Sequence, residues 1–204
     1  MVTAINTSVS TFIDGEIAKS RVALEALATP HYTQILTDIA GEIVESLRAG
    51  GKILFCGNGG SAADSQHLAA ELVGRQNYDR APAAGIALTV DTSALTALGN
   101  DYGFDAVFSR QVEALGRAGD VLIGISTSGR SVNVVRALEA AKAKGMTTVS
   151  FIGSEPRDMN IAHHVLCVPA SETAKIQELH LTCGHIIFAL VERTLFPMPH
   201  SAAP

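Results

Sequence analysis

Five short runs of apolar residues, separated by segments with helical periodicity, constrain the fold of this chain more than any other feature. The runs are KILFC (52–56), GIALTV (85–90), DVLIGI (120–125), MTTVSFI (146–152) and HVLCV (164–168). They are apolar on both faces, which is typical of strands that are covered on both sides. Because helical patterns lie between them, the sequence predicts an α/β fold with a parallel sheet and helices on both faces.

Helical periodicity fills most of the remaining chain. Two helices are predicted ahead of the first strand, over 5–28 and 31–49, and a long one follows the last strand, over 173–195. Pro30 is expected to end the first of them. Shorter helical patterns lie between the strands, at 62–74, 93–98, 104–115, 131–144 and 157–162.

The domain organisation follows from this pattern. A chain of 204 residues without an internal repeat or a low-complexity linker is expected to form one domain. Its predicted parts are the N-terminal helices (1–50), the α/β core (51–172), a C-terminal helix (173–196) and a loose tail (197–204).

Composition narrows the class of partner. The net charge of −5 argues against a general affinity for nucleic-acid backbones. The sequence has no uncharged apolar stretch of about 18 residues and no signal-peptide pattern at its start, so no membrane span is expected. Cys56, Cys167 and Cys183 are odd in number and far apart, which favours reduced thiols and a cytoplasmic protein.

Two loops are candidate ligand sites, because ligands in such sheets bind beyond the carboxyl ends of the strands. The first loop is GNGGS (57–61), whose glycines permit a tight turn and a close approach of the backbone to a ligand. Ser61 is expected to cap the next helix, with Asp64 completing an imperfect capping box. The spacing also fits a dinucleotide fingerprint, but the acidic residue required about 20 positions later is missing.

The second loop is STSGRS (126–131), which follows the third strand and precedes a helix. Hydroxyl groups at the N-terminus of a helix suit a phosphate ester, so an anion site is favoured over an ordinary serine-rich turn. The loop does not match the P-loop pattern GxxxxGK[ST], and ATP hydrolysis is not implied.

Polar residues on two predicted helices leave several interpretations open. His67 and Glu71 are four residues apart and share a helix face, where they could form a surface hydrogen bond, half a metal site, or a base with its partner. On the last helix, His185 is aligned better with Glu178 than with Gln177. Spacing alone therefore does not say which neighbour shares a site with His185.

Four motifs carry a family resemblance. GNGGSAADSQHLAAEL, LTALGNDYG, GISTSGRS and IQELHLTCGH, in this order, resemble the bacterial phosphoheptose (sedoheptulose-7-phosphate) isomerases of the SIS-domain class. The resemblance runs from about residue 5 to residue 196. It implies a flavodoxin-like five-stranded sheet and a homotetramer with active sites between subunits. It also implies an enediol-type aldose–ketose isomerisation of sedoheptulose 7-phosphate to D-glycero-D-manno-heptose 7-phosphate, the first step toward nucleotide-activated heptose.

The resemblance also assigns residues by position. The implied metal ligands, for one Zn²⁺ or another divalent ion per subunit, are His67, Glu71, Gln177 and His185. The implied catalytic pair is Glu71 and His185. The implied sugar and phosphate contacts are Asn58, Gly59, Gly60, Ser61, Glu71, Asn100, Asp101, Ser126, Thr127, Ser128, Ser131 and Gln177. Some members carry an acid where this chain has Ala174, so no role is assigned there.

Two alternative functions remain. One is a non-catalytic SIS-domain regulator of the replication-initiator-associating type, which has a similar ending to Leu195-Phe196-Pro197. The presence of both Glu71 and His185 argues against it. The other is an isomerase or binding protein for a different phosphosugar.

Overall fold

The computed structural model describes residues 6–198 and the side chains of residues 9–198. Residue 5, the predicted start of the first helix, and residues 199–204 of the predicted tail lie outside the described part. Within that part, none of the helices is long and apolar enough to cross a membrane.

A five-stranded parallel sheet forms the centre of the molecule. Its spatial order is β2-β1-β3-β4-β5. The strands are β1 (Ile53–Gly57), β2 (Gly85–Ala87), β3 (Val121–Ser126), β4 (Thr147–Ile152) and β5 (His164–Cys167). This is the flavodoxin-like order, so the predicted fold class is confirmed. The order reverses at β1, which has β2 on one side and β3 on the other, and the ligand crevice of such sheets lies at this reversal.

Seven α-helices cover the sheet in the described residues. They are α1 (Asn6–Glu25), α2 (Pro30–Arg48), α3 (Gly60–Val73), α4 (Thr92–Tyr102), α5 (Ser109–Leu115), α6 (Val132–Ala143) and α7 (Thr173–Leu195). Side chains of the strands alternate between two cores. Phe55 and Ile123 pack on the side of α2, α3 and α7, whereas Leu54 and Leu122 pack on the side of α5 and α6. Each fully buried side chain of this size stabilises the fold by about 1.5–3 kcal/mol.

Several predicted element boundaries differ from the structure. Strand β2 ends at Ala87 instead of residue 90, because the chain turns and Asp91 caps α4 by accepting a hydrogen bond from the backbone N–H of Ala94. Pro30 begins α2 instead of ending α1, which stops at Glu25. Proline suits the first turn of a helix, where its missing N–H group has no intrahelical partner.

Two further local predictions were wrong. Ser61 does not cap α3; it lies buried inside the helix, and Gly59 is the cap, with a φ of +56° that favours glycine. The segment predicted as helical at 157–162 is a short 3₁₀ helix, Arg157–Ile161.

Candidate active site

The GNGGS loop turns tightly because two of its glycines have no room for a side chain. A Cβ atom on Gly57 would lie 2.6 Å from the carbonyl oxygen of Ser61. A Cβ atom on Gly60 would lie 2.3 Å from Nε2 of Gln177. The second distance shows that the side chain of Gln177, on α7, reaches the first residue of α3.

A third glycine sets the approach of α7 to α3. A Cβ atom on Gly184 would lie 2.6 Å from Cδ2 of Leu68. Without that side chain, the two helices pack closely on the same face of the sheet. His67 precedes Leu68 and His185 follows Gly184 in the sequence, so this close packing brings the two histidines together.

His67, Glu71 and His185 form a compact group, which we call the His–Glu cluster. The Nε2 atoms of the two histidines are 2.8 Å apart, and Nε2 of His67 lies 3.3 Å from Oε1 of Glu71. One ligand atom from each residue lies within 4.8 Å of the others. The side chain of Glu71 is largely buried, whereas that of His67 is 46% exposed, so the cluster opens to solvent on the His67 side.

The donor atoms of this cluster fit a metal ion. Two imidazole nitrogens and one carboxylate oxygen are ligands that Zn²⁺ and similar divalent ions accept in catalytic sites, which keep a further position for water or substrate. Without an ion, the contact between the histidines requires the N–H group of one imidazole to donate a hydrogen bond to the unprotonated nitrogen of the other.

Glu178 is directed away from this cluster. Its carboxylate accepts hydrogen bonds from Oγ of Ser20 at 2.7 Å and from Nζ of Lys175 at 3.0 Å. The hydrogen bond from Ser20 is the main cause that lowers the pKa of Glu178, and Lys175 adds to it. Glu178 therefore faces α1, and Gln177 is the polar neighbour that lies beside the GNGGS loop. Helical spacing alone favoured the other residue.

The STSGRS segment (126–131), which we call the serine loop, gathers hydroxyl groups at the N-terminus of α6. Oγ of Ser126, the last residue of β3, lies 2.8 Å from Oγ of Ser131 and 3.4 Å from Oγ of Ser128. Ser131 is the N-cap residue of α6, but its hydroxyl does not cap the helix. The hydroxyl groups and the first N–H groups of α6 therefore form an arrangement that suits an anion.

A cavity of about 230 Å³ opens beside the serine loop. Thr127 and Ser128 line one side, and Gly153, Ser171 and Ile176 line the region toward β4 and α7. The cavity is thus next to the helix that carries Gln177 and His185.

An asparagine that the sequence motifs did not single out joins the two loops. The side-chain amides of Asn58 and Asn133 exchange two hydrogen bonds, both of 2.9 Å. Asn133 is buried in the first turn of α6, directly after the serine loop. Because the amide of Asn58 is held in this way, its side chain fixes the GNGGS loop against α6.

Asn100 and Asp101 lie apart from these groups. Both are exposed near the end of α4, where Nδ2 of Asn100 donates a hydrogen bond to Oδ1 of Asp101 at 2.7 Å. Within residues 6–198, neither forms a hydrogen bond to the His–Glu cluster or to the serine loop.

Comparisons with known proteins agree with this architecture. The SIS domain family model matches residues 17–153. The phosphoheptose isomerase of Maridesulfovibrio salexigens is 53% identical over 166 residues, 81% of either chain, and that of Burkholderia pseudomallei is 50% identical over 188 residues, 91% of this chain and 95% of its own.

Solved structures give the same result. The phosphoheptose isomerase GmhA of Neisseria gonorrhoeae is 42% identical, with a TM-score of 0.84 over 90% of this chain and 98% of its own. The phosphoheptose isomerase of Francisella tularensis is 34% identical, with a TM-score of 0.85 over 92% of this chain and 99% of its own. The fold, the His–Glu cluster and these similarities together identify the chain as a member of the phosphoheptose isomerase family of SIS-domain proteins.

Proposed function

We propose that this isomerase converts sedoheptulose 7-phosphate to D-glycero-D-manno-heptose 7-phosphate, the first step toward nucleotide-activated heptose. The observation that carries the proposal is the convergence of His67, Glu71 and His185 in one group. The two strands at the sheet reversal lead into the loops beside this group, and one of these loops suits a phosphate.

In the proposed binding mode, the serine loop holds the phosphate. Ser126, Ser128 and Ser131 offer hydroxyl groups, and α6 offers the positive end of its dipole. The phosphate is at the end of the sugar that does not react. Its capture would orient C1 and C2 toward the His–Glu cluster, and binding energy from a remote group can support the reaction in this way.

The chemistry requires a proton to move from C1 to C2. We assign Glu71 to take the proton from C1, which leaves an enediol, and to return a proton to C2. The O1 and O2 atoms exchange protons in the same steps. His185 suits this second role, because a neutral imidazole carries one nitrogen that donates a proton and one that accepts a proton.

The proposal includes one divalent ion per subunit, with Zn²⁺ as the first candidate. His67, Glu71 and His185 would hold it, with Gln177 as a fourth ligand. When bound, such an ion polarises a carbonyl group and stabilises negative charge on its oxygen.

Elemental analysis tests the metal proposal. We expect about one ion per chain after metal-replete purification, and less in His67→Ala. Activity should be lost with a chelator while the protein stays folded. A fully active enzyme without a divalent ion would contradict this part of the proposal and leave an acid–base cluster.

We also propose a homotetramer with active sites between subunits, in the cytoplasm. Helix α1 supports the assembly, because its side chains Phe12, Ile17 and Val22 are apolar and more than half exposed in one chain. Asn100 and Asp101 are exposed away from the cluster, where they could serve a neighbouring subunit. The three cysteines are free thiols, which supports the cytoplasmic location.

Incubation with sedoheptulose 7-phosphate, followed by NMR, tests the reaction. We expect signals of the aldose to grow, and Glu71→Gln to reduce kcat by at least about 10²-fold, because an amide keeps the size of the side chain but is not a base. If the parent protein bound sedoheptulose 7-phosphate without converting it, the alternative of a non-catalytic SIS-domain regulator would be favoured. Conversion of a shorter ketose phosphate alone, such as fructose 6-phosphate, would favour a different isomerase.

A further inference from the structure

Arg80, in the segment that follows α3, forms a buried ion pair with Glu192 of α7. Nε of Arg80 lies 3.2 Å from Oε1 of Glu192, and their side chains are only 4% and 1% exposed. Arg80 belongs to the segment 74–84 that connects α3 to β2, and Glu192 lies near the end of α7. A buried pair of charges is tolerated when further hydrogen bonds satisfy both groups. The other hydrogen-bond partners of Arg80 and Glu192 therefore show which segments the pair connects.

On the α3 side, the guanidinium group binds the end of the helix. Nη2 of Arg80 donates to the carbonyl oxygen of Glu71 at 2.6 Å, and Nη1 donates to that of Leu72 at 2.8 Å. Carbonyl groups in the last turn of a helix lack intrahelical partners and carry the negative end of the dipole. Arg80 thus fixes the turn of α3 that carries Glu71.

On the α7 side, the connecting segment is held at two points. Glu192 accepts hydrogen bonds from the backbone N–H groups of Gln76 and Asn77, both at 3.0 Å, and from Nδ2 of Asn77 at 2.9 Å. Nε2 of Gln76 donates to the carbonyl oxygen of His185 at 3.0 Å. The segment therefore reaches the backbone of His185 itself.

The end of α7 closes over this network. The ring of Phe196 lies 5.1 Å from the guanidinium carbon of Arg80, and the hydroxyl of Tyr78 donates to the carbonyl oxygen of Phe196. An aromatic ring next to a buried guanidinium adds a cation–π contact. Phe196 belongs to the Leu-Phe-Pro ending of the helix, which thus has a structural role in this chain.

We infer that Arg80 and Glu192 are positioning residues for the isomerisation, and this rests on the proposed function. Arg80 binds the backbone carbonyl of Glu71 directly. Glu192 holds the backbone N–H of Gln76, whose side chain binds the backbone carbonyl of His185. Glu71 and His185 are the two residues assigned to proton transfer. Neither charged group reaches the serine loop or lines the cavity beside it. The pair sets the position of α3 against α7, and a displacement of about 1 Å in a catalytic group can reduce a rate by about 10²-fold.

Arg80→Lys is the main test. Lysine keeps the positive charge, but its donors all lie on one nitrogen atom. They cannot span the two carbonyl groups and the carboxylate that Nη2, Nη1 and Nε of Arg80 reach separately. We expect kcat to fall by at least about tenfold and KM to change by less than about threefold, because the phosphate contacts are untouched. Gln76→Ala is a milder variant that removes only the hydrogen bond to His185, and we expect a fall in kcat of about threefold.

The matched control is the ion pair of Lys52 and Asp120, which directly precede β1 and β3. Asp120 is also buried, and it accepts from the backbone N–H groups of Lys52 at 3.0 Å and Arg117 at 2.8 Å. Asp120→Asn should lower the melting temperature while kcat stays within about twofold of the parent value. If this control reduced kcat as much as Arg80→Lys does, the effect of Arg80 would be one of general stability and the inference would be wrong.

A second readout needs neither substrate nor activity. In the metal-free protein labelled with ¹⁵N-histidine, we expect Arg80→Lys to shift the ring signals of His67 and His185 toward those of free imidazoles, whereas Asp120→Asn leaves them unchanged. Co²⁺ used as a probe should bind about tenfold more weakly to Arg80→Lys. Unchanged ring signals and unchanged Co²⁺ affinity would overturn the inference, and a parent protein without isomerase activity would overturn the proposed function alone.

Discussion

At the residue scale, two histidines of α7 have opposite environments. His185 meets His67 at the edge of the His–Glu cluster. His180, five residues earlier, is fully buried with its ring 5.8 Å from that of Phe151. Within the described residues, neither of its ring nitrogens has a hydrogen-bond partner of good geometry. His180 is therefore a neutral core residue, and its burial has a consequence for stability.

Acid should destabilise the protein through His180. Burial lowers the pKa of its ring from 6.5 to about 4, and the nearby backbone of Ile152 opposes this only in part. Because the folded-state pKa lies below the unfolded one, the stability that His180 provides is present above pH 6.5 and is lost as the pH falls toward 4. Its share of the loss between pH 7.5 and pH 5 is about 2 kcal/mol.

Urea unfolding of the parent protein and of His180→Phe at these two pH values measures that share. Phenylalanine fills a similar volume without a titrating group, so the variant should lose less stability on acidification than the parent. Equal losses in the two proteins would show that His180 does not contribute to the pH dependence.

At the element scale, the loops after β1 and β3 act together. The paired amides of Asn58 and Asn133 hold the GNGGS loop against α6, and α6 begins where the serine loop ends. The hydroxyl groups of the serine loop therefore occupy a fixed position relative to the start of α3. This arrangement predicts that the serine loop can be disabled without unfolding the helices around it.

Ser128→Ala combined with Ser131→Ala should weaken the binding of substrate and of inorganic phosphate by at least about tenfold. Both hydroxyl groups belong to the proposed anion site, and hydrogen bonds to a charged group contribute about 1.5–3 kcal/mol each. Calorimetric titration with phosphate measures the effect, with circular dichroism to check folding. If the parent protein bound sedoheptulose as tightly as sedoheptulose 7-phosphate, the proposed anion site would be refuted.

Much of the element scale could be predicted from the sequence. Apolar runs that are covered on both faces have few structural solutions, so the five parallel strands and the position of the two loops followed from the pattern. The choice between Gln177 and Glu178 did not, because it depends on Ser20 and Lys175 holding Glu178 toward α1. Arg80 and Glu192 were missed for the same reason: contacts between side chains distant in sequence leave no periodic signal.

At the scale of the whole molecule, α1 is attached by polar contacts and leaves an apolar face uncovered. Ser20 and Lys19 reach Glu178 and Glu172 at the start of α7. The side chains of Ile13, Ile17 and Leu24, which share one face of α1, are exposed. A helix normally buries its apolar face. This inverted arrangement is the structural argument for assembly.

Sedimentation at micromolar concentration tests the assembly. We expect a tetramer, and we expect Ile13→Glu with Ile17→Glu to shift it toward smaller species, because charged side chains oppose burial of this face. Glu139→Lys, a change of charge at an exposed residue of α6, serves as a control that should leave the assembly intact. A parent protein that sediments as a monomer of 21.3 kDa would contradict both the tetramer and active sites between subunits.

The central claim is that Glu71 moves a proton between C1 and C2, and isomerisation in D₂O tests it most directly. A proton held on a carboxylate can exchange with solvent before C2 is protonated, so NMR should find deuterium accumulating at C2 of the aldose over many turnovers. The rate of incorporation should fall with the rate of isomerisation in Glu71→Gln. An aldose that stays fully protonated at C2 after the same number of turnovers, together with an undiminished rate in Glu71→Gln, would contradict the account.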